Sequence, residues 1–486
     1  MSLARRAAVS FLAAVCLAGM SSDSAAPRTV FHNLHEYFHY LQHSTSPEAK
    51  AVLRQIKRGP RDLAWERAEA RRAGFPSKAS ELPQLHLAES ENAAPIFQRL
   101  GTLLKNKPLH LPRYADSLSG AYAYTPEQLD VVRKALADRP EILDLLRQAT
   151  DRPYCVFPGE WPQPGVDYLS AENINRVANE NSMFRWAARL FSTEGYLLAH
   201  DGRYQDAIND EVRSFRVAEY AASSPTLINY LVGASSDEGA LAGLKDILRM
   251  AGPNAVVDQA MARAFTEKGT ILSVQKTVVG EYLYSRRIPL RSGIAEFKDF
   301  FRDWLKPVKP NEATGTFSPA DQRLADELLA ASEAYSLHEH REVAAGVGFP
   351  PATRRAFFTA LQQRVVTASE TNFPDPVTDG TDSMLDLYDM MERRENSLEA
   401  GRQVTLATAA LMEYRAQNGR FPDQLDERFT DPYTGKPLLY RREGTDGFVV
   451  YAAVPEEFSA AFRLPGRPNP IFGASHRPGK PIFFRY

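Results

Sequence analysis

The chain has 486 residues, 44% hydrophobic and 24% charged, the composition of a soluble globular protein with one to three domains, each able to bury a core. Lysine plus arginine number 58 against 60 for aspartate plus glutamate, so the charge balance gives no electrostatic reason to expect nucleic acid or an anionic membrane as partner. Glycine-rich phosphate loops, CxxC pairs and EF-hand loops are absent, which removes the motif-marked nucleotide, dithiol and calcium classes.

Residues 1–25 read as a signal peptide. "MSLARR" supplies positive charge, Ala7 to Met20 is an apolar run, and "SSDSAA" offers small residues for cleavage near Ser24 to Ala26. As a helix that run spans about 21 Å, short of a roughly 30 Å hydrocarbon core. A removed leader is therefore expected, and with it an exported protein, periplasmic or secreted. Cleavage removes Cys16 and leaves Cys155 alone, so no internal disulfide is expected in spite of the oxidising destination. No later segment is apolar enough to cross a membrane. The best candidate, "LINYLVGASSDEGALAGLKDIL", carries Asp237 and Glu238 at its centre.

"HNLHEYFHYLQH", His32 to His43, follows the leader and contains the zinc-peptidase pattern HExxH. In that pattern two histidines four apart on one helix face, here His35 and His39, hold zinc, and the adjacent glutamate, Glu36, is the general base. At about 100° per residue, His32, His35, His39 and His43 fall within a roughly 80° arc. Phe31, Leu34, Phe38 and Leu41 cluster on a neighbouring arc that would face a core. A zinc site needs a further ligand, such as Glu66 or Glu69, and nothing in the sequence singles these out. The other reading is an amphipathic helix with histidine on its wet side, where imidazoles could also sense pH or bind a metal adventitiously or for regulation. The expectation is no catalytic, cofactor-binding or metal-ligating residue; the alternative is zinc on His35 and His39 with Glu36 as base.

Residues 26–382 read as a helical body. The basic stretch "RQIKRGPRDLAWERAEARR" also carries acidic residues and reads as a solvated helix face. "FRWAARLFSTEGYLLAHDGRYQDAINDEVRSFRVAEYAA" has apolar residues three and four apart, broken only at "HDGRY". Gly202 suits a left-handed position between two helices, and Ala187 and Ala207 are small enough for close helix contact. "GYLLAHDGRYQDAI" resembles the tetratricopeptide turn, where glycine, an aromatic and alanine recur as Gly202, Tyr204 and Ala207 do here. The resemblance covers about one repeat and implies a helix-turn-helix unit. Ser214 stands where that family prefers a second alanine.

More helices are expected along "DEGALAGLKDILRM", "AVVDQAMARAFTEKGTILSVQKTVVGEYLYSR", "IAEFKDFFRDWL", "PADQRLADELLAASEAYSLHEHREV" and "ATRRAFFTALQQRVVTASET". Ser318 before Pro319 reads as an N-cap, and Gly252 before Pro253 as a stop. "DRPYCVFPGEWPQPGVDY" reads as an ordered loop pinned by Trp161 and Tyr154, while "KPVKPNEATGTFSP" and "ETNFPDPVTDGTD" read as linkers.

Residues 383–486 form a different module. "SLEAGRQVTLATAALMEYRAQNGRFP" is one helix ended by Asn418-Gly419. Two short strands follow, Leu438 to Arg441 and Phe448 to Ala452, and "GKPIFFRY" echoes "GKPLLYR" as a third. The segment resembles the soluble head of type II secretion pseudopilins, which also run helix, "YR..NGR.P..L", "DP..G.P..Y" and hairpin. The matching residues are Tyr414, Arg415, Asn418, Gly419, Arg420, Pro422, Leu425, Asp431, Pro432, Gly435, Pro437 and Tyr440. The resemblance implies a small α+β head. "VPEEFSAAFRLPG" lacks the run of carboxylates that binds calcium in some members. A small α+β cap that closes the helical body stands beside this reading, because a shared fold does not carry filament building with it.

The remaining candidates are weaker. His338 and His340 point to nearly opposite helix faces, while His338 and Glu342, four apart, can pair. Cys155 has no histidine near it in sequence and reads as a packed loop cysteine. "GASSDEG" is no nucleophile elbow, since Asp237 replaces the second glycine. Asp237, Glu238 and Glu281 interrupt apolar helices; exposed helix faces are the expectation, and burial in pairs or along a groove is the alternative. The fold class is mostly α: an irregular helical-hairpin body with a small C-terminal α+β module. The expected function is that of an exported, non-catalytic interaction or scaffold protein of the cell envelope, with protein or peptide partners, no nucleic acid and no stable membrane span. A zinc-dependent hydrolase built on HEYFH is the alternative.

Overall fold

The computed structural model describes residues 34–77, 81, 87–111, 124–157, 171–267, 274–285, 319–349, 351–369, 379–453 and 482–485. The expected leader, His32, Trp161, Ser318 and most of both expected linkers lie outside these residues. In chain order the helices are α1 (Leu34–His43), α2 (Pro47–Arg72), α3 (Ala94–Asn106), α4 (Pro126–Ala137), α5 (Pro140–Thr150), α6 (Ala171–His200) and α7 (Tyr204–Ser223). They continue with α8 (Leu227–Ala251), α9 (Ala255–Glu267), α10 (Val274–Ser285), α11 (Pro319–Val347), α12 (Pro351–Ser369) and α13 (Asp379–Asn418). Strands β1 (Leu439–Glu443), β2 (Gly447–Ala452) and β3 (Ile482–Arg485) make an antiparallel sheet in that order. The chain is mostly α, as its periodicity predicts.

Helix starts follow local chemistry. At α4, Thr125 Oγ1 accepts from Gln128 N at 3.3 Å and Gln128 Oε1 accepts from Thr125 N at 2.9 Å, a capping box with Pro126 at the first helical position. Ser46 before Pro47 caps α2 by accepting from Ala49 N, and Thr226 caps α8 by accepting from Asn229 N.

The described residues fall into two compact units, one drawn from Met1–Gln84, Trp161–Ala178 and Val274–Met390, the other from Leu85–Glu160, Asn179–Ser273 and Met391–Tyr486. α13 runs without a break across residues 382 and 383, where the sequence changes character.

In the first unit α2 lies along α11. A Cβ added at Gly59 would stand 2.5 Å from the Ala331 nitrogen, so only glycine permits this backbone approach. Tyr37, Phe38 and Leu41 of α1 are buried with Val52, Ile56, Leu324 and Leu328. The apolar arc of the histidine helix thus faces a core. Arg54, Lys57, Arg58, Arg61, Arg71 and Arg72 of α2 are exposed, as the charge pattern predicts.

In the second unit α6 and α7 make the expected hairpin. Gly202 has φ +77°, Arg203 N donates to Leu198 O at 2.8 Å, and Gly202 N donates to Ala199 O at 3.0 Å, a Schellman end. Ala187 and Ala207 are fully buried. Ser214 Oγ donates to Ala188 O at 3.4 Å, so a serine serves as the small residue at that crossing. Tyr204 donates from its hydroxyl to Met250 O at 3.2 Å and ties the turn to the end of α8.

α8 is the segment with the most membrane-like sequence. Leu227, Tyr230, Val232, Ala234, Ala240, Leu241, Leu244, Ile247 and Leu248 bury it on most sides, so it is a central core helix. Among the described residues no helix is long and apolar enough to cross a membrane.

The C-terminal module closes through its turn residues. Asp431 Oδ1 accepts from Tyr433 N at 2.9 Å and Oδ2 from Ala453 N at 3.0 Å, so one buried carboxylate fastens the "DPYTGKP" turn to the end of β2. Tyr440 donates to Pro422 O at 2.7 Å. Arg415 lies over the Phe421 ring at 4.8 Å and donates to Asp446 O at 2.9 Å. Phe448, Val450 and Ala452 point inward, with Phe448 stacked on Phe484.

Candidate functional site

α1 carries Glu36, His39 and His43 on its exposed side. The His39 and His43 rings are tilted with centroids 4.3 Å apart. Together with Glu36, Tyr40 and Ser44 they line an open depression. His35 belongs to α1, and its side chain lies outside the described residues. The glutamates that could have completed a zinc site are engaged elsewhere. Glu66, buried on α2, places Oε1 at 3.0 Å from His338 Nδ1 and accepts from Arg341 at 3.1 Å, while Glu69 pairs with Arg72. Among the described residues no group of three or more histidine, cysteine, aspartate or glutamate side chains is placed to hold a metal ion.

The two histidines of "SLHEHRE" separate as their helical spacing predicts. His338 is half-exposed, with Nε2 at 3.5 Å from Glu342 as well as its contact to Glu66. His340 is buried. Its Nδ1 lies 2.7 Å from Ser336 O, an acceptor, so that nitrogen carries the proton. Its Nε2 has no hydrogen-bond partner. The rings of Tyr282 and Tyr388 stand 5.6 and 5.4 Å away. Burial among them lowers the imidazole to about 4, against the weaker opposite effect of the Ser336 carbonyl. His340 is therefore neutral in the folded protein.

The second unit buries acids, and these escaped the sequence reading. Glu211 is fully buried on α7. Its Oε2 accepts from Ser192 Oγ at 2.9 Å, and Oε1 has no partner. Gly195 and Gly243 make the space: a Cβ at Gly195 would meet Oε1 at 3.3 Å, and one at Gly243 would overlap the carboxyl group. Burial lifts Glu211 well above the ordinary carboxylate range; the Ser192 bond opposes this, and Asp210 and Asp246 add to it. Asp210 beside it rises to about 8, through burial first and then through Glu194, with Arg147 and Arg213 pulling the other way. Arg147 pairs with Glu194 at 2.6 Å, and Arg213 stands 3.7 Å from Asp210. A proton retained on Asp210 lets the two acids stand side by side. Asp258 on α9 is likewise raised to about 8, by burial first, with the Asn254 backbone opposing and Glu413 adding. The signal for Glu211 was present in the spacing: Ala207, Glu211, Ser214 and Ala218 fall on one helical stripe, and the other three are plainly core residues.

Two expectations need correction. Asp237 is buried, and Glu238 is held by Arg394 through two bonds of 3.0 and 2.9 Å, so neither is an exposed helix carboxylate. The reason is the position of α8, which is surrounded on most sides and leaves its centre no wet face. Tyr154 fixes its loop through its backbone, with Ala93 N donating to Tyr154 O at 2.7 Å, while its side chain is exposed. Cys155 and Phe157 are the side chains that enter the core. Cys155 is thus a packed cysteine, not one presented to solvent.

No family model, no curated protein and no solved structure matches this chain.

Proposed function

We propose that this is an exported, non-catalytic helical protein that works through contacts with proteins or peptides, as a scaffold or interaction component of the cell envelope. One observation carries the reading. The groups able to do acid–base work are taken up by helix packing: Glu66 by His338 and Arg341, His340 by its aromatic neighbours, Glu211 by Ser192 between two glycines. Glu36, His39 and His43 of α1 line an open depression, which supports a surface role for them. The leader's charge and apolar run support export. The C-terminal module is read as a pseudopilin-like head used as a cap, supported by the bonds that Asp431, Tyr440 and Arg415 make at matching positions.

The test compares wild type with Glu36→Gln on a mixed peptide substrate with zinc supplied to both. Equal background rates, with unchanged helicity, are expected. Hydrolysis by the wild type that Glu36→Gln abolishes would overturn the reading in favour of the zinc hydrolase.

A further inference from the structure

We propose that His39 and His43 form a two-imidazole chelate for a divalent transition cation of the zinc class, a site distinct from the His35–His39 pair of HExxH. The placement is geometric. The two residues are four apart on one helix face, and their rings already stand 4.3 Å apart. Both side chains are exposed, so rotation about χ1 and χ2 is open to them, and each ring can bring a nitrogen to the roughly 2.0–2.1 Å that zinc requires. The backbone beneath is fixed, because Tyr37, Phe38 and Leu41 anchor α1 in the core with Val52, Ile56 and Leu328. On an anchored helix turn the ordering required on binding is confined to the two side chains.

The surroundings favour a cation. Glu36 lines the same depression and brings negative charge to it, while Tyr40 and Ser44 add oxygen atoms. Two imidazoles fill half of a tetrahedral zinc shell, and the remaining positions fall to water or to a donor from a partner. This site goes beyond the proposed function and does not depend on it, since it asks nothing of Glu36 as a base.

The experiment is equilibrium dialysis of the tag-free full chain against zinc chloride, with His35→Asn, His39→Asn and His43→Asn variants and circular dichroism to confirm the fold. One zinc per wild-type chain is expected, with affinity kept in His35→Asn and reduced tenfold or more in both His39→Asn and His43→Asn. Absence of wild-type binding would overturn the proposal. So would loss in His35→Asn, with or without loss in His43→Asn, or binding kept in either of the other two variants. The peptide assay with Glu36→Gln reports separately on function, so failure of one idea does not carry the other with it.

Discussion

In the first compact unit burial lowers the pKa of a base, His340; in the second it raises those of three acids, Asp210, Glu211 and Asp258, and lowers that of Lys245 to about 8. His340 and the three acids are held neutral, because burial disfavours the charged form whatever its sign. The consequence for pH is opposite in the two units. His340 titrates near 4 when folded, while an unfolded imidazole binds its proton near about 6.5. The contribution of neutral His340 is whole above that range and is lost as pH falls toward 4. Asp210 and Asp258 hold protons up to about pH 8 when folded, whereas unfolded aspartates release theirs near about 4. Their contribution is whole in acid and is lost as pH rises toward 8. Between about pH 4 and 8 these groups therefore pull the two units in opposite directions.

Two helix glycines, one in each unit, differ in what a side chain there would meet. At Gly59 the neighbour is backbone, the Glu327 carbonyl and the Ala331 peptide. At Gly243 it is a carboxyl group that carries the pH response. The largest effect is thus expected in the first unit. Gly59→Ala forces α2 and α11 apart and should cost about 3 kcal/mol or more, in spite of alanine's better helix propensity. The check is a fall in the denaturation midpoint together with loss of hydrogen-exchange protection in α2 and α11.

A smaller and pH-dependent effect belongs to the second unit. Glu211→Gln keeps the shape and the Ser192 contact but cannot ionise. It should raise stability more at pH 8 than at pH 5, as read from urea unfolding at both values. An equal effect at the two pH values would show that Glu211 is already ionised in the fold.

Much of this was legible beforehand. The amphipathic stripe of α1, the α6–α7 hairpin with its glycine end, and the C-terminal hairpin all follow from spacing and turn residues. The module's helix begins earlier than its most regular stretch, at Asp379, since Tyr388 and Met391 continue the buried face toward the N-terminus. The polar interior was harder to read. Glu211 sits in an apolar stripe, but a single sequence does not reveal the glycines of two other helices that make room for it. Asp237 and Glu238 have a helix-centre position that suits an exposed surface or a crowded core equally, and only the packing around α8 decides between them. His340 was placed correctly opposite His338, because helical phase alone separates i from i+2.

The most direct test of these buried neutral groups is hydrogen exchange by mass spectrometry on the intact chain at pH 5 and pH 8, with protection corrected for intrinsic rates. The expected result is that α11 and α10 lose protection at pH 5 relative to pH 8, while α7 and α8 lose protection at pH 8 relative to pH 5. Protection that falls in the same direction in both units would contradict the account.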